Sequence, residues 1–343
     1  MTRRPGACRA ASGLNPTPFP DIMIKKLFAT VLLSISSAAA FAVPFGSQSV
    51  LVVEDDTGKV LLEKNASAVV PIASLTKLMT AMVILDAKQD MNELIEIDRS
   101  DVDTLKHSSS RVPVGASIPR SDVLQLALMS SDNRAAASLA RTYPGGHAAF
   151  KEAVRRKAAA LGMRQTHIEE PTGLSPNNRS TAGDLIKMAN AAADYPEIAA
   201  RSTDARNIIN INGRGVEYRN TNRLVGAKGW DIGLSKTGYT REAGRCLIMS
   251  IKVAGKNATM VLLNASASSA RILDALNVRR FITGEEPTVA SVTRAAKVKA
   301  SSRAPRIKAS GSRVKLKAKA PSRTKAKVVA KKKKVTVKRT RRN

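Results

Sequence analysis

Cysteine, histidine and aromatic residues are all scarce in this 343-residue chain. Cys8 and Cys246 are its two cysteines, too few for a disulfide scaffold or a cysteine-built zinc module. The three histidines, His107, His147 and His167, show neither His-x-x-x-His nor Glu-x-x-His spacing. That argues against a metallohydrolase, so no metal site and no cofactor is expected. Aromatic residues make up 3%, yet hydrophobic residues reach 43%, enough to bury a core in one large domain or two small ones. Acidic residues are missing from the end of the chain: residues 291–343 carry 21 Lys and Arg and no Asp or Glu. Residues 1–42 hold 5 basic and 1 acidic residue, and residues 43–290 hold 31 basic and 26 acidic. The formal charge of +30 therefore belongs mostly to a tail, and the overall basicity says little about the body.

No apolar run is long enough for a comfortable membrane span. The run Leu27 to Ala40 follows the basic start Met23-Ile24-Lys25-Lys26 and ends in Ala40-Phe41-Ala42. This is a secretory signal peptide pattern, residues 23–42, with cleavage after Ala42 and an uncleaved anchor as the alternative. Residues 1–22 fit no signal design and are expected to be a mis-assigned extension, with Met23 the true start. Cys8 leaves with the leader, and Cys246, inside an apolar strand, is expected to be buried rather than reactive. At the other end, residues 286–343 are Lys, Arg, Ala, Ser, Val and Pro, a composition that cannot offset its ordering entropy. A disordered basic tail is expected there.

The body, residues 43–285, opens with a hairpin pattern. Ser49–Val53 and Lys59–Leu62 flank the turn-forming Glu54-Asp55-Asp56-Thr57-Gly58. Helical periodicity follows at Leu75, Leu78, Met79, Met82 and Leu85. Ser121 is the expected N-cap of a helix through Leu124 and Leu128, and 135–141, 150–161 and 182–193 also have helical patterns. Strands return at 234–240, 246–253 and 259–264, and a last helix spans about 268–281. The order predicts an α+β architecture: one antiparallel sheet built from both ends of the body, with a helical insertion in the middle.

Three short patterns carry chemistry. Ser74-Leu75-Thr76-Lys77 places a hydroxyl and an amine on one helix face. A serine needs a base to become a nucleophile, and lysine serves only when neutral. Lowering its pKa from ~10.4 to ~7.5 costs roughly 4 kcal/mol, which calls for burial and a second cation nearby. Taken alone the pattern is cheap, since Ser312…Lys315 and Ser322…Lys325 repeat it in the tail. Ser131-Asp132-Asn133 supplies a hydroxyl able to relay a proton and an amide able to hold a carbonyl, but it equally suits a helix cap. Lys236-Thr237-Gly238 supplies the second cation on a strand, where Gly238 would let a substrate backbone come close. An ordinary edge strand with a solvated lysine reads the same. Together, in this order and separated by 57 and 105 residues, the three form the signature set of penicillin-recognising serine enzymes.

The chain resembles the serine DD-peptidases, and among them the penicillin-binding protein 7 type D-alanyl-D-alanine endopeptidases, over about residues 48–283. Beyond the three motifs the resemblance rests on Pro71-Ile72-Ala73-Ser74, Leu126-Ala127-Leu128-Met129-Ser130-Ser131, Tyr143-Pro144-Gly145-Gly146, Glu170-Pro171-Thr172-Gly173-Leu174, Arg219-Asn220-Thr221-Asn222 and Ala243-Gly244-Arg245-Cys246. It implies the β-lactamase/DD-peptidase-like fold, a five-stranded antiparallel sheet flanked by helices plus an all-helical subdomain. It also implies hydrolysis of peptidoglycan D-Ala cross-links through a Ser74 acyl-enzyme, with β-lactams as covalent inhibitors. Lys77 would be the base, Ser131 and Lys236 would pass the proton to the leaving amine, and Asn133 and Thr237 would hold the substrate. The backbone of Ser74 and Tyr239 would form the oxyanion hole.

Carboxypeptidase relatives often carry Asn-Arg-Asn where this chain has Asn220-Thr221-Asn222. The uncharged Thr221 therefore favours an endopeptidase, with DD-carboxypeptidase as the alternative. The Glu-x-x-Leu-Asn of a β-lactamase is missing, and Glu169 and Glu170 are expected to be loop residues. A catalytically inactive wall-binding protein is the alternative of another class. The leader implies a periplasmic location. The tail is expected to tether the protein to anionic envelope polymers or lipids. Passive solvation is one alternative, and nucleic acid binding is disfavoured by the export signal.

Overall fold

The computed structural model describes Val43 and residues 45–286. The expected extension and leader, and the basic tail from residue 287 onward, lie outside the described residues.

The strands, in chain order, are β1 (Ser49–Glu54), β2 (Val60–Lys64), β3 (Val70–Pro71), β4 (Leu94–Glu96), β5 (Ser117–Pro119), β6 (Arg179–Ser180), β7 (Arg206–Ile211), β8 (Arg214–Arg219), β9 (Asp231–Thr240), β10 (Gly244–Val253) and β11 (Lys256–Ala265). The α-helices are α1 (Thr76–Asp86), α2 (Arg120–Met129), α3 (Asn133–Arg141), α4 (Gly146–Ala160), α5 (Ala182–Ala193), α6 (Pro196–Thr203) and α7 (Ser268–Thr283). Five strands form one antiparallel sheet in the order β2-β1-β11-β10-β9. The N-terminal hairpin and the C-terminal three strands thus share a sheet, as expected from the order of elements. Between them lies an insertion that is mainly helical and carries three short two-stranded ribbons.

The sheet is covered on both faces. Period-two alternation in β1 sends Val50 and Val52 to one side and Leu51 and Val53 to the other. Val50 and Val52 pack with Met249, Met260 and Leu262 against Ala275 and Val278 of α7. The opposite face packs on the helical insertion, with α1 at its centre. The periodicity of Leu75 to Leu85 predicts one apolar stripe, but every residue from Thr76 to Ile84 is buried. A helix enclosed on all sides belongs to the middle of a core, and Lys77 is enclosed with it.

Side-chain caps explain two of the α-helix starts. The Asp132 side chain caps α3 by accepting from Ala135 N at 3.0 Å, and Thr181 caps α5 by accepting from Asp184 N at 3.1 Å. Ser121 does not cap α2. The helix starts at Arg120, and its first amides donate to backbone carbonyls instead, Arg120 N to Glu93 O and Ser121 N to Met91 O, both at 2.8 Å. The β7–β8 hairpin was not anticipated, although its turn, Asn212-Gly213, has both residues at positive φ, 52° and 80°. That is the backbone a tight hairpin turn requires. Cys246 is buried as expected, and burial pushes its thiol up to about 11.

Candidate active site

Ser74 sits in a short 3-10 turn, Ala73–Leu75, that leads directly into α1. The turn is strained: Ala73 has φ of +48°, a conformation rare for a residue with a side chain. Two glycines allow the crowding around it. Gly173 has φ of +85°, and a Cβ there would lie 1.9 Å from the Ala73 carbonyl oxygen. At Gly238 a Cβ would meet Ala73 Cβ and Ser74 N at 3.0 Å and Ile72 O at 3.1 Å. The backbone that comes close to Gly238 is therefore the protein's own turn, and β9 lies directly against the Ser74 amide.

One helical step on, Lys77 is 1% exposed. Its Nζ donates to Ser74 Oγ at 2.9 Å, to Asn133 Oδ1 at 2.7 Å and to the Thr172 carbonyl at 2.8 Å. Burial draws its pKa down to about 8, against the opposing pull of Glu170, Asp132 and Asp103. Lys236 on β9 is also 1% exposed, and its Nζ donates to the Thr237 carbonyl at 3.1 Å. Burial first, then the positive charges of Lys77 and Arg271, hold Lys236 well below the ordinary lysine range. The influence runs from Lys77 to Lys236: burial is what lowers Lys77, and the second cation expected to help lower it is not among the charges that act on it.

The remaining candidates border this centre. Asn133 opens α3, and its Nδ2 donates to Ser108 Oγ at 2.8 Å. Ser131 has φ of +58° at the break between α2 and α3. Its hydroxyl makes no hydrogen bond among the described residues, and it shares with Asn133 a cavity of about 570 Å³. The hydroxyls of Thr237 and Thr221 lie 2.6 Å apart, and the Thr221 amide donates to Met129 O at 3.1 Å. These two bonds tie β9 to the insertion. Tyr239 is exposed, with the Arg245 guanidinium 3.5 Å from its ring centroid. The structure thus joins Ser74, Lys77 and Asn133 directly and couples Lys236 through charge. Thr237 pairs with Thr221, Gly238 lies against Ser74, and Ser131 and Tyr239 stand at the edge with no side-chain bond into the cluster.

A family model described as D-alanyl-D-alanine carboxypeptidase, peptidase S11, matches residues 36–267. The chain belongs to that family. Among relatives of this D-alanyl-D-alanine carboxypeptidase family member, a D-alanyl-D-alanine endopeptidase of Pseudomonas aeruginosa is 42% identical over 281 residues, covering 78% of this chain and 91% of the relative. A D-alanyl-D-alanine endopeptidase of Escherichia coli K12 is 41% identical over 265 residues, covering 76% and 86%. Among solved structures, penicillin-binding protein D2 from Listeria monocytogenes in its ampicillin-bound form superposes with a TM-score of 0.60 at 27% identity, over 69% of this chain and 97% of that one. The expected fold and family are both borne out.

In this family member, three parts of the site escaped the sequence reading. Thr172 contributes a backbone carbonyl, which leaves no trace in residue type. Ser108 comes from a loop with no motif. Glu170 and Asn178 build the loop that carries Thr172: Asn178 Oδ1 accepts from Glu169 N at 2.9 Å, and Asn178 Nδ2 donates to Thr76 Oγ1 at 3.1 Å. Glu170 lies in the loop expected for it, within the Glu170-Pro171-Thr172-Gly173-Leu174 segment that carries part of the resemblance, whereas Asn178 lies outside that segment.

Proposed function

We propose that the chain is a D-alanyl-D-alanine endopeptidase that hydrolyses peptidoglycan peptide cross-links through an acyl-enzyme on Ser74. The observation that carries this reading is the 2.9 Å bond between Ser74 Oγ and a buried Lys77 whose pKa lies at about 8. A usable fraction of that amine is neutral near pH 7, so it can accept the hydroxyl proton as Oγ attacks the D-Ala carbonyl. The Ser74 and Tyr239 amides would stabilise the oxyanion. As the C–N bond breaks, the amine leaves with a proton passed through Ser131 and Lys236. Water then cleaves the ester, releasing the D-Ala carboxylate and restoring Ser74. Asn133 and Thr237, the latter supported by Thr221, would hold the substrate's amide and polar groups. Thr221 brings no positive charge for a terminal carboxylate, which favours the endopeptidase over the carboxypeptidase named in the family description.

The same nucleophile would be acylated by β-lactams. The ampicillin-bound form of the Listeria monocytogenes relative supports that expectation. Glu170 is occupied by hydrogen bonds within its own loop, so the acyl-enzyme should break down slowly. The leader of residues 23–42 would deliver the enzyme to the periplasm, and the tail of 286–343 would hold it near anionic envelope polymers. No helix among the described residues is long and apolar enough to cross a membrane.

The deciding experiment offers purified cross-linked muropeptide dimers and pentapeptide monomers separately and follows products by chromatography. Dimers cut to monomers with pentapeptide intact are expected. Release of free D-alanine from pentapeptide with dimers untouched would make the enzyme a carboxypeptidase. Failure of fluorescent penicillin to label the wild type, with Ser74→Ala as control, would favour an inactive wall-binding protein. Deleting 286–343 should weaken envelope retention at low salt, and unchanged retention would leave the tail a passive one.

A further inference from the structure

The geometry points to Glu170 as a positioning residue for the Ser74–Lys77 pair. The inference rests on the reading of Ser74 as nucleophile and Lys77 as base. Glu170 does not touch either residue. It folds the segment that does. Its Oε2 accepts from Thr172 N at 2.7 Å and Thr172 Oγ1 at 2.5 Å, and its Oε1 accepts from Gly173 N at 2.6 Å, Asn178 Nδ2 at 3.1 Å and Ser175 N at 3.3 Å. Five donors converge on one carboxylate, and no apolar or neutral side chain of that size could satisfy them.

The loop so folded delivers two parts to the active centre. The Thr172 carbonyl accepts from Lys77 Nζ at 2.8 Å. The Gly173 backbone lies so close to the Ala73 carbonyl that no Cβ fits. One fixes the amine, and the other presses on the strained turn that carries Ser74. Asn178 ties the loop to the same helix start: its Nδ2 also reaches Thr76 Oγ1, and its carbonyl accepts from Ile72 N at 3.0 Å. Glu170 and Asn178 together therefore connect to Ile72, Ala73, Thr76 and Lys77, which surround Ser74.

The carboxylate has a second effect. Asp132 and Asp103 also face Lys77 and favour its charged form, and the buried Lys236 is coupled to it on the side of β9. Glu170 is the strongest of the three acidic influences. Removing its charge should make Lys77 easier to deprotonate, so neutralisation would move the acidic limb of the acylation rate to lower pH. Loss of position lowers the rate, and loss of charge shifts the limb. A loop that merely stabilises the fold would not shift it.

The adjacent Glu169 provides a matched control. It accepts from Ser175 Oγ and from Asn177 Nδ2 and has no bond to Thr172 or Gly173. The test measures the second-order rate of Ser74 acylation by fluorescent penicillin against pH, in the full chain, for the wild type, Glu170→Gln, Glu170→Asp and Glu169→Gln. Glu170→Gln turns an NH2 toward amide donors and should lower the plateau rate at least tenfold, with the limb displaced downward by roughly half a pH unit or more. Glu170→Asp keeps the charge but withdraws it, so the rate should fall with the limb unmoved. Glu169→Gln should match the wild type. If Glu170→Gln does not fold, as judged by circular dichroism and melting, Glu170→Asp still decides, because a wild-type rate there overturns the proposal. A slower Glu170→Gln with an unmoved limb also overturns it. An unlabelled wild type would instead sink the acyl-enzyme reading itself, so the two failures are distinguishable.

Discussion

Lys77 and Lys236 are equally buried, each 1% exposed, yet the two walls of the site treat them differently. The insertion wall gives Lys77 three acceptors, one of them the nucleophile, and three acidic side chains within electrostatic reach. The sheet wall gives Lys236 one backbone carbonyl, and its charged neighbours are Lys77 and Arg271. Burial alone pushes both amines down. What separates them is the number of acceptors and the sign of the neighbours, so one lysine settles at about 8 and the other lies well below its ordinary range. On the proposed mechanism this is a division of labour: Lys77 would be a base held beside its proton donor, and Lys236 an amine kept in reserve on β9.

The comparison can be broken most directly by removing each amine. Lys77→Met should lower Ser74 acylation toward the upper end of the roughly 10²–10⁴-fold that a general base contributes. Lys236→Met should cost less, roughly 10²-fold, as an auxiliary polar group. Stopped-flow labelling with penicillin measures both, and equal losses would erase the distinction. The pH profile sharpens it. The base works when neutral, so the wild-type acylation rate should fall about tenfold per unit as pH drops below about 8. Lys236→Met should leave that limb in place, because the charges that bear on the Lys77 amine are those of Glu170, Asp132 and Asp103. A limb displaced by a full unit in that variant would mean that Lys236 is charged.

Smaller effects probe the contacts that bring the walls together. Gly173→Ala places a Cβ 1.9 Å from Ala73 O at a φ of +85° and should cost about 2–4 kcal/mol of stability. Gly238→Ala faces contacts no closer than 3.0 Å and should lower the melting temperature less, while still slowing acylation through its contact with Ser74. Thermal melts that rank the two in the opposite order would contradict this account of the turn. Smallest is Thr221→Val, which removes the 2.6 Å bond to Thr237. A net hydrogen-bond value of about 0.5–1.5 kcal/mol corresponds to a rise of roughly two- to thirteenfold in KM for the cross-linked dimer.

The sheet was legible because alternation in β1 and the apolar runs of β9, β10 and β11 are local signals with a period of two. Ser74, Lys77, Asn133 and Lys236 were legible because their chemistry requires those residue types. The hairpin at Asn212-Gly213 has the turn residues of a tight hairpin, but its strands, RNIINI and RGVEYR, are interrupted by charged and amide side chains and carry little apolar alternation. Ser121 misled because a good capping residue stood one position inside a helix whose amides were already satisfied by Glu93 and Met91 carbonyls. The enclosure of α1 was hidden, since burial on every side depends on what packs against a helix and not on its own pattern.

By itself the sequence determined the order of the elements, the presence of a serine, two lysines and an asparagine in motif spacing, and the concentration of positive charge in the tail. Those properties are carried by residue identity and local periodicity. Tertiary structure alone decided that Lys77 reaches Ser74, Asn133 and the Thr172 carbonyl at once, and that Gly173 and Gly238 are glycines because the Ser74 turn passes against them. It also decided which acceptors and which charges surround each of the two buried lysines. A pKa and a close approach are set by what surrounds a group, and here those surroundings come from distant segments: Thr172 lies 95 residues from Lys77 along the chain, and Gly238 lies farther still from the Ser74 turn it meets.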